Sequence, residues 1–196
     1  MFSQRLNEEN TLRQIALSDA EELFSVCDGN RAYLRQWLPW LDRTRQVADT
    51  RGFIEGALRQ SEANQGFQTV ILVGGRIVGL VGFHRIDWAN HSTSLGYWLA
   101  EAYQGRGLMT ASCRALVDHG FAALNLHRIV IACAPANTRS RAIPERLGFV
   151  HEGRLRDAEW LYDHYVDHEI YAQLQSEWQT QIIAQLSGKG IMSGPA

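Results

Sequence analysis

Three short stretches of this 196-residue chain place reactive residue types at suggestive spacings. Gln104-Gly105-Arg106-Gly107 stands directly before Leu108-Met109-Thr110 and a long apolar-striped segment. Asn137-Thr138-Arg139-Ser140 opens a second striped segment that closes at Leu147-Gly148-Phe149. Glu159-Trp160 sets a carboxylate beside an aromatic ring, in a run rich in Asp and His. The first stretch reads as an anion site. A helix start exposes unpaired N–H groups at the positive end of the peptide dipole, and glycines before it let the backbone press against a ligand. The anion that fits best is a pyrophosphate. A P-loop would need a lysine after its last glycine, and the only lysine is Lys189. A dinucleotide fingerprint would need glycine where Thr110 stands and an acidic residue where Cys133-Ala134-Pro135 sit.

The elements that position these groups follow from periodicity. Met109, Cys113, Leu116, Val117, Gly120, Phe121 and Leu124 recur at spacings of three and four, so a helix with one buried face follows Gly107. The residues before it, Thr93 to Leu99, read as a strand, with Gly96 suggesting a bulge that frees a backbone N–H. Phe67 to Val73 and Ile77 to Ile86 form a hairpin through Gly74-Gly75, and with the Thr93 strand an antiparallel meander. Leu126 to Ala134 is a strand that a helix separates from Leu99, so these two can lie parallel. Upstream, Thr11 to Leu17 is a weak strand. Ser18 and Glu21 form a capping box for a helix carrying Leu23, Phe24 and Cys27. A helical piece with Tyr33, Leu34, Trp37 and Leu38 breaks at Pro39, and Thr50 to Ala63 is a helix with Phe53, Ile54, Ala57 and Leu58 inward. Trp37 and Trp40 are equally suited to a core lid and to the wall of a substrate groove.

Composition bounds the rest. A chain of this length buries about 70% of its unfolded surface as one domain, and 45% hydrophobic with 20% charged residues is the balance of a soluble globule. A net charge of −2 argues against a duplex nucleic acid partner. No apolar run approaches membrane-spanning length and the N-terminus lacks a signal-peptide core, which makes a cytoplasmic location and no membrane partner the expectation. Cys27, Cys113 and Cys133 are odd in number and fall in apolar patterns, as reduced core residues do. His164, Asp167, His168 and Glu169 lack a metal-ligand order and read as a polar strand face, so no metal is expected. Residues 1–186 form one domain and 187–196 a flexible tail.

The glycine stretch resembles the acetyl-CoA loop of the GNAT superfamily of N-acetyltransferases, in which Gln104 and Gly107 match and Met109 departs from a small residue. Asn137 through Ser140, followed by Leu-Gly-Phe, resembles the second half of the cofactor site in the RimJ/RimL branch, the ribosomal-protein N-terminal acetyltransferases. The resemblance implies a GNAT fold of the α+β class: a mixed, mostly antiparallel sheet with a splayed parallel central pair and helices on both faces. It implies acetyl-CoA as co-substrate, held by the backbone of Tyr97, Trp98 and Leu99, by Gln104, Gly105, Arg106, Gly107, Leu108, Met109 and Thr110, and by Asn137 and Ser140. Ser140 is then the general acid toward the thiolate, with oxyanion donors at Tyr97 and Trp98. Glu159, its pKa raised against Trp160, is the base, with Glu152, Asp157 and Asp163 in reserve. Trp37, Trp40 and Trp160 line the acceptor side. An α-amine titrates near 8 and a lysine near 10.4, so a neutral lysine amine costs about 3 kcal/mol more at pH 7. The expected acceptor is therefore a protein N-terminal amine. The alternatives are a polyamine, amino acid or aminoglycoside, toward which Asp157, Glu159, Asp163 and Asp167 could converge, or a CoA-binding module without turnover. The sequence leaves a homodimer open.

Overall fold

An eight-stranded sheet runs through the computed structural model, which describes residues 2–189. Its strands are β1 (Ser3–Arg5), β2 (Asn10–Gln14), β3 (Gln68–Val73), β4 (Arg76–Phe83), β5 (Ser92–Leu99), β6 (Arg128–Cys133), β7 (Val150–Leu161) and β8 (His164–Leu174), in spatial order β1-β2-β3-β4-β5-β6-β8-β7. Only β5 and β6 pair in parallel. The helices are α1 (Ala20–Gly29), α2 (Arg31–Leu34), α3 (Val47–Glu62), α4 (Leu108–Ala122), α5 (Thr138–Leu147) and α6 (Gln175–Lys189).

Strand alternation sends successive side chains to opposite faces, and each face has its own core. On one, Phe83, Leu95 and Ile129 pack with Cys113, Leu116 and Phe121 of α4 and Leu147 of α5. On the other, Val70, Leu80 and Trp98 pack with Leu23 of α1 and Ile54 of α3. The α4 stripe expected from the sequence is the buried face seen here, and Gly74-Gly75 turns the β3–β4 hairpin with both φ positive.

Several local expectations are corrected. Strand β1 and helix α6 carry patterns too short or too mixed to read; α6 also takes the first three residues of the expected tail, whose remainder lies outside the described residues. The strand expected over Thr11 to Leu17 is β2, which begins at Asn10 and stops at Gln14, and residues 17–19 turn before α1. Ser18 makes no cap there. Asp19, 4% exposed, accepts the Ala16 N–H at 2.8 Å and both terminal nitrogens of Arg13 at 2.7 and 2.6 Å, so a carboxylate and its guanidinium set the turn. In α3, Phe53 is 47% exposed, because Thr50, Ile54 and Ala57 form the inward stripe.

The central pair decides the shape of the site. Strands β5 and β6 pair only from Ser92–Arg128 to Ser94–Val130, then part. β6 stays with β8 as far as Cys133, and β5 stays with β4 as far as Leu99. No bulge occurs at Gly96: β4 and β5 keep constant register from Phe83–Leu95 to Gly79–Leu99. The register shift falls on the other edge of β4, where Ile71 pairs Gly79 and Leu72 pairs Ile77. The splay, rather than a bulge, leaves β5 amides free.

Burial alone would raise the Asp19 pKa, but the Arg13 and Ala16 hydrogen bonds outweigh it and hold the carboxyl below its usual range. A depressed folded pKa adds stability that is present above the unfolded value near 3.9 and disappears as pH falls through the folded value. Asp19→Asn is expected to destabilise the fold by about 1–3 kcal/mol at pH 7. Urea melts of the two proteins should converge as the pH is taken below 3.9.

Candidate active site

The loop before α4 has the backbone that anion binding requires. Gly105 and Gly107 both have φ of +72°, the left-handed region in which a side chain costs about 1–2 kcal/mol. Gly107 is the N-cap of α4, and Ala111 is the first residue to bond back, to the Gly107 carbonyl at 3.0 Å. The amides of Leu108, Met109 and Thr110 therefore have no intrahelical partner. Met109 is accommodated because its side chain points into the core, 7% exposed, while its amide stays at the helix mouth. The Gln104 side chain braces the loop. Its amide nitrogen donates to the Tyr33 hydroxyl at 2.5 Å, and its oxygen accepts from Arg139 at 2.6 Å.

Across the gap from β5, α5 supplies the second half. Asn137 caps it, Oδ1 accepting the Ser140 N–H at 3.1 Å. Pro144 sits inside this helix and has no N–H to return to the Ser140 carbonyl. Tyr97 donates its hydroxyl to that carbonyl at 3.1 Å, and Ser140 Oγ donates to the Tyr97 oxygen at 3.2 Å. Burial pushes the Tyr97 phenol well above its usual pKa, so it keeps its proton. Cys133 lies close by; burial pushes its thiol up to about 11 against a hydrogen bond with Ser140. Cys27 and Cys113 are also buried, unpaired and raised by burial.

Ladder phase shows which amides face the gap. His84 N–H bonds Ser94 O at 2.9 Å and Ala100 N–H bonds Val78 O at 2.8 Å, so even-numbered residues of β5 bond β4. The amides of Leu95, Tyr97 and Leu99 turn toward β6, which has diverged. Of the two expected oxyanion donors, Tyr97 faces the gap and Trp98 is spent on β4.

Glu159 and Ser140 lie on opposite faces. Glu159 pairs Val166, and the register carries that face through His168, Ala172, Val130 and Ser94 to Trp98. The Glu159 carboxylate lies 3.5 Å from His168 Nε2, both side chains partly buried. Trp160 does not wall it. As the next residue along the strand it points to the other face, half-exposed, its ring 4.8 Å from that of Tyr165. Trp37 and Trp40 are half-buried on the Glu159 side, with Trp40 6.4 Å from Trp98. The loop that carries them is pinned to the β7–β8 turn by Tyr162, whose hydroxyl donates to the Leu38 carbonyl at 2.5 Å beneath the Arg35 guanidinium.

The acidic residues do not converge. Two register shifts break the alternation of β7; at the second, Asp167 Oδ1 accepts the Asp157 N–H at 2.9 Å on the Ser140 face. Asp163 pairs with His164, and Glu152 with Arg128. Glu169 is 4% exposed, its carboxyl held low by Arg154 and then His151. Among the described residues no group of three His, Cys, Asp or Glu side chains could hold a metal ion, and no helix is long and apolar enough to cross a membrane.

Free amides at a helix mouth, a gap lined by unpaired strand amides and a hydroxyl pair at its edge suit the pyrophosphate, pantetheine arm and thioester of acetyl-CoA in turn. Comparison with known proteins decides the family: the profile described as Acetyltransferase (GNAT) domain matches residues 10–150. The chain belongs to the GNAT acetyltransferases. It is 30% identical over 170 residues to the ribosomal-protein-serine acetyltransferase of Escherichia coli strain K12, covering 87% of this chain and 95% of that one. It superposes on RimL, the ribosomal L7/L12 alpha-N-protein acetyltransferase, solved with coenzyme A, with a TM-score of 0.86 and 28% identity over 90% of this chain and 99% of that one. A second structure, the microcin C7 self-immunity acetyltransferase MccE with acetyl-CoA and AMP, gives 0.82 and 32% over 86% and 94%. This GNAT enzyme uses acetyl-CoA.

The side-chain role of Tyr97 was not legible in the sequence, because the aromatic in mid-strand carries no sign of the carbonyl that Pro144 frees 47 residues later. Gly107→Val forces a branched side chain into a left-handed backbone and should reshape the helix mouth. About tenfold weaker acetyl-CoA binding by calorimetry is expected, equivalent to about 1.4 kcal/mol.

Proposed function

We propose that this enzyme acetylates a protein N-terminal α-amine by direct attack in a ternary complex, in the cytoplasm, where acetyl-CoA and newly made protein ends meet. The observation that carries this reading is the parting of β5 from β6 with Ser140 and Glu159 on opposite faces: the thioester enters beside Tyr97 and Ser140, and the amine from the side of Glu159, Trp37 and Trp40. The ammonium gives one proton to Glu159, directly or through a water. The neutral nitrogen attacks the carbonyl carbon, a C–N bond forms, and the oxygen gathers charge near the gap-facing amides of β5. The nitrogen then sheds its second proton on the amine's side, and as the C–S bond breaks the thiolate takes a hydrogen bond from the Ser140–Tyr97 pair or a proton that solvent replaces. Tyr97, held protonated by burial, is a donor across the working pH range.

An N-terminus suits the site because one carboxylate can neutralise an amine titrating near 8. A polyamine would be favoured by several carboxylates on one wall, and the carboxylates of Asp163 and Asp167 are engaged elsewhere. The relatives named for ribosomal proteins support the same reading. MccE, solved with AMP, marks the small-molecule alternative.

The test is thiol release from acetyl-CoA with a panel of N-terminal peptides, spermidine, free amino acids and an aminoglycoside. Peptide turnover with little from the small amines is expected; rapid turnover with spermidine alone would transfer the assignment to polyamines. Glu159→Gln should lower kcat about 100-fold, more below pH 7 where the amine is protonated, with acetyl-CoA affinity intact. Ser140→Ala and Tyr97→Phe should each lower kcat about tenfold. The double variant should lose less than the product of the two, since the hydroxyls act as one pair.

A further inference from the structure

The acceptor face holds a second proton acceptor that neither the motif nor the resemblance singles out. His84 follows β4 and faces Ser94 across the ladder, its Nδ1 2.8 Å from Ser94 Oγ. Its ring lies over the backbone of Gly96: a Cβ built there would stand 2.5 Å from Nε2 and 2.7 Å from Cε1. Glycine in mid-strand is thus explained by the imidazole that occupies its place, rather than by a bulge. Gly96 directly precedes Tyr97, about 3.3 Å along the strand. His84 therefore stands on the amine's side of β5, one residue from where Tyr97 meets Ser140 on the thioester's side. Ser94 is also the last residue of β5 to pair with β6, so His84, which bonds Ser94 from the β4 side, lies level with the closed end of the gap. Glu159 is farther out: β6 ends opposite Glu169, and Glu159 pairs Val166, three residues beyond.

Acetyl transfer to an ammonium moves two protons off the nitrogen. An ammonium that becomes an amide loses one proton before attack and a second from the tetrahedral intermediate's nitrogen. We propose that His84 Nε2 takes this second proton, while Glu159 at the rim takes the first. The assignment rests on the acetyl-transfer reading above. In the step, the C–N bond has formed, the nitrogen gives its proton to Nε2, the C–S bond breaks, and the thiolate takes a proton from the Ser140–Tyr97 pair, which solvent entering the gap reprotonates. The imidazolium then releases its proton to the open face, where His84 is exposed. With Nδ1–H donating to Ser94 Oγ, the lone pair of Nε2 is free.

The surroundings suit a base. Although the residue reaches solvent, the ring's packing over Gly96 desolvates it and lowers the His84 pKa from its usual value, and no charged group contributes to the shift. What faces it is the Ser94 hydroxyl and Gly96 backbone of β5, while the uncharged Gly66 turn after α3 packs against its carbonyl. The ring is then neutral at pH 7, and its contribution is lost as pH falls through a value below the ordinary 6.5.

His84→Gln keeps a polar side chain and removes the titration. With an N-terminal peptide acceptor, kcat is expected to fall about 100-fold and the acidic limb of the kcat profile belonging to the imidazole to disappear, with acetyl-CoA affinity by calorimetry unchanged. His84→Ala should be partly rescued by added imidazole. Gly96→Ala, which displaces the ring, should lose activity in the same way. Full kcat with an unaltered acidic limb in His84→Gln, or no imidazole rescue of His84→Ala, overturns the assignment. Wild-type protein that binds acetyl-CoA and acetylates no amine overturns the transferase reading instead, and this assignment with it.

Discussion

The parting of β5 from β6 is the constraint on which the rest depends. Three residue pairs hold these strands together, and beyond Ser94 each follows its other neighbour. A sheet interior with unpaired amides is costly unless something satisfies them, since each buried orphan costs about 1–3 kcal/mol. The gap suits an extended, amide-bearing arm, which would lie there as a strand does. In the reading proposed above, the α4 mouth takes the far end of that arm and the Tyr97–Ser140 pair its reactive end.

The two faces of the sheet divide the labour. Alternation along β5 sends Tyr97 to the α4–α5 face and Trp98 to the α1–α3 face, so neighbouring residues serve different partners. Ser140, Tyr97 and Cys133 lie on the α4–α5 face, and Glu159, His168 and His84 on the other. In the proposed reaction the reactants meet through the gap, an arrangement that delays contact until both are positioned. Gln104 links the two sides mechanically, touching Tyr33 of α2 with its amide nitrogen and Arg139 of α5 with its oxygen.

Irregularities sit where this arrangement needs them. Pro144 breaks a helical bond and thereby supplies the carbonyl that holds Tyr97. The register shifts of β7 re-aim its side chains between Leu155 and Glu159, and the positive φ of Tyr162 turns the hairpin so that its hydroxyl reaches Leu38. Each costs locally, and each fixes a wall of the site.

Taken alone, the sequence determined what short-range patterns encode. The α4 stripe, the two glycines before it, the Asn137 cap, the Gly74-Gly75 hairpin and the meander are local consequences of residue type and period, and all are present in the fold. Tertiary structure decided what depends on register and on contacts distant in sequence. Gly96 read as a bulge because a strand glycine has several causes, and only the position of His84 twelve residues earlier selects among them. Glu159 and Trp160 read as partners because they are adjacent, yet adjacency on a strand means opposite faces, and two bulges in β7 obscure the phase that would reveal it. The Tyr97–Ser140 pair joins residues 43 apart across a gap that exists only once three strands have chosen their neighbours.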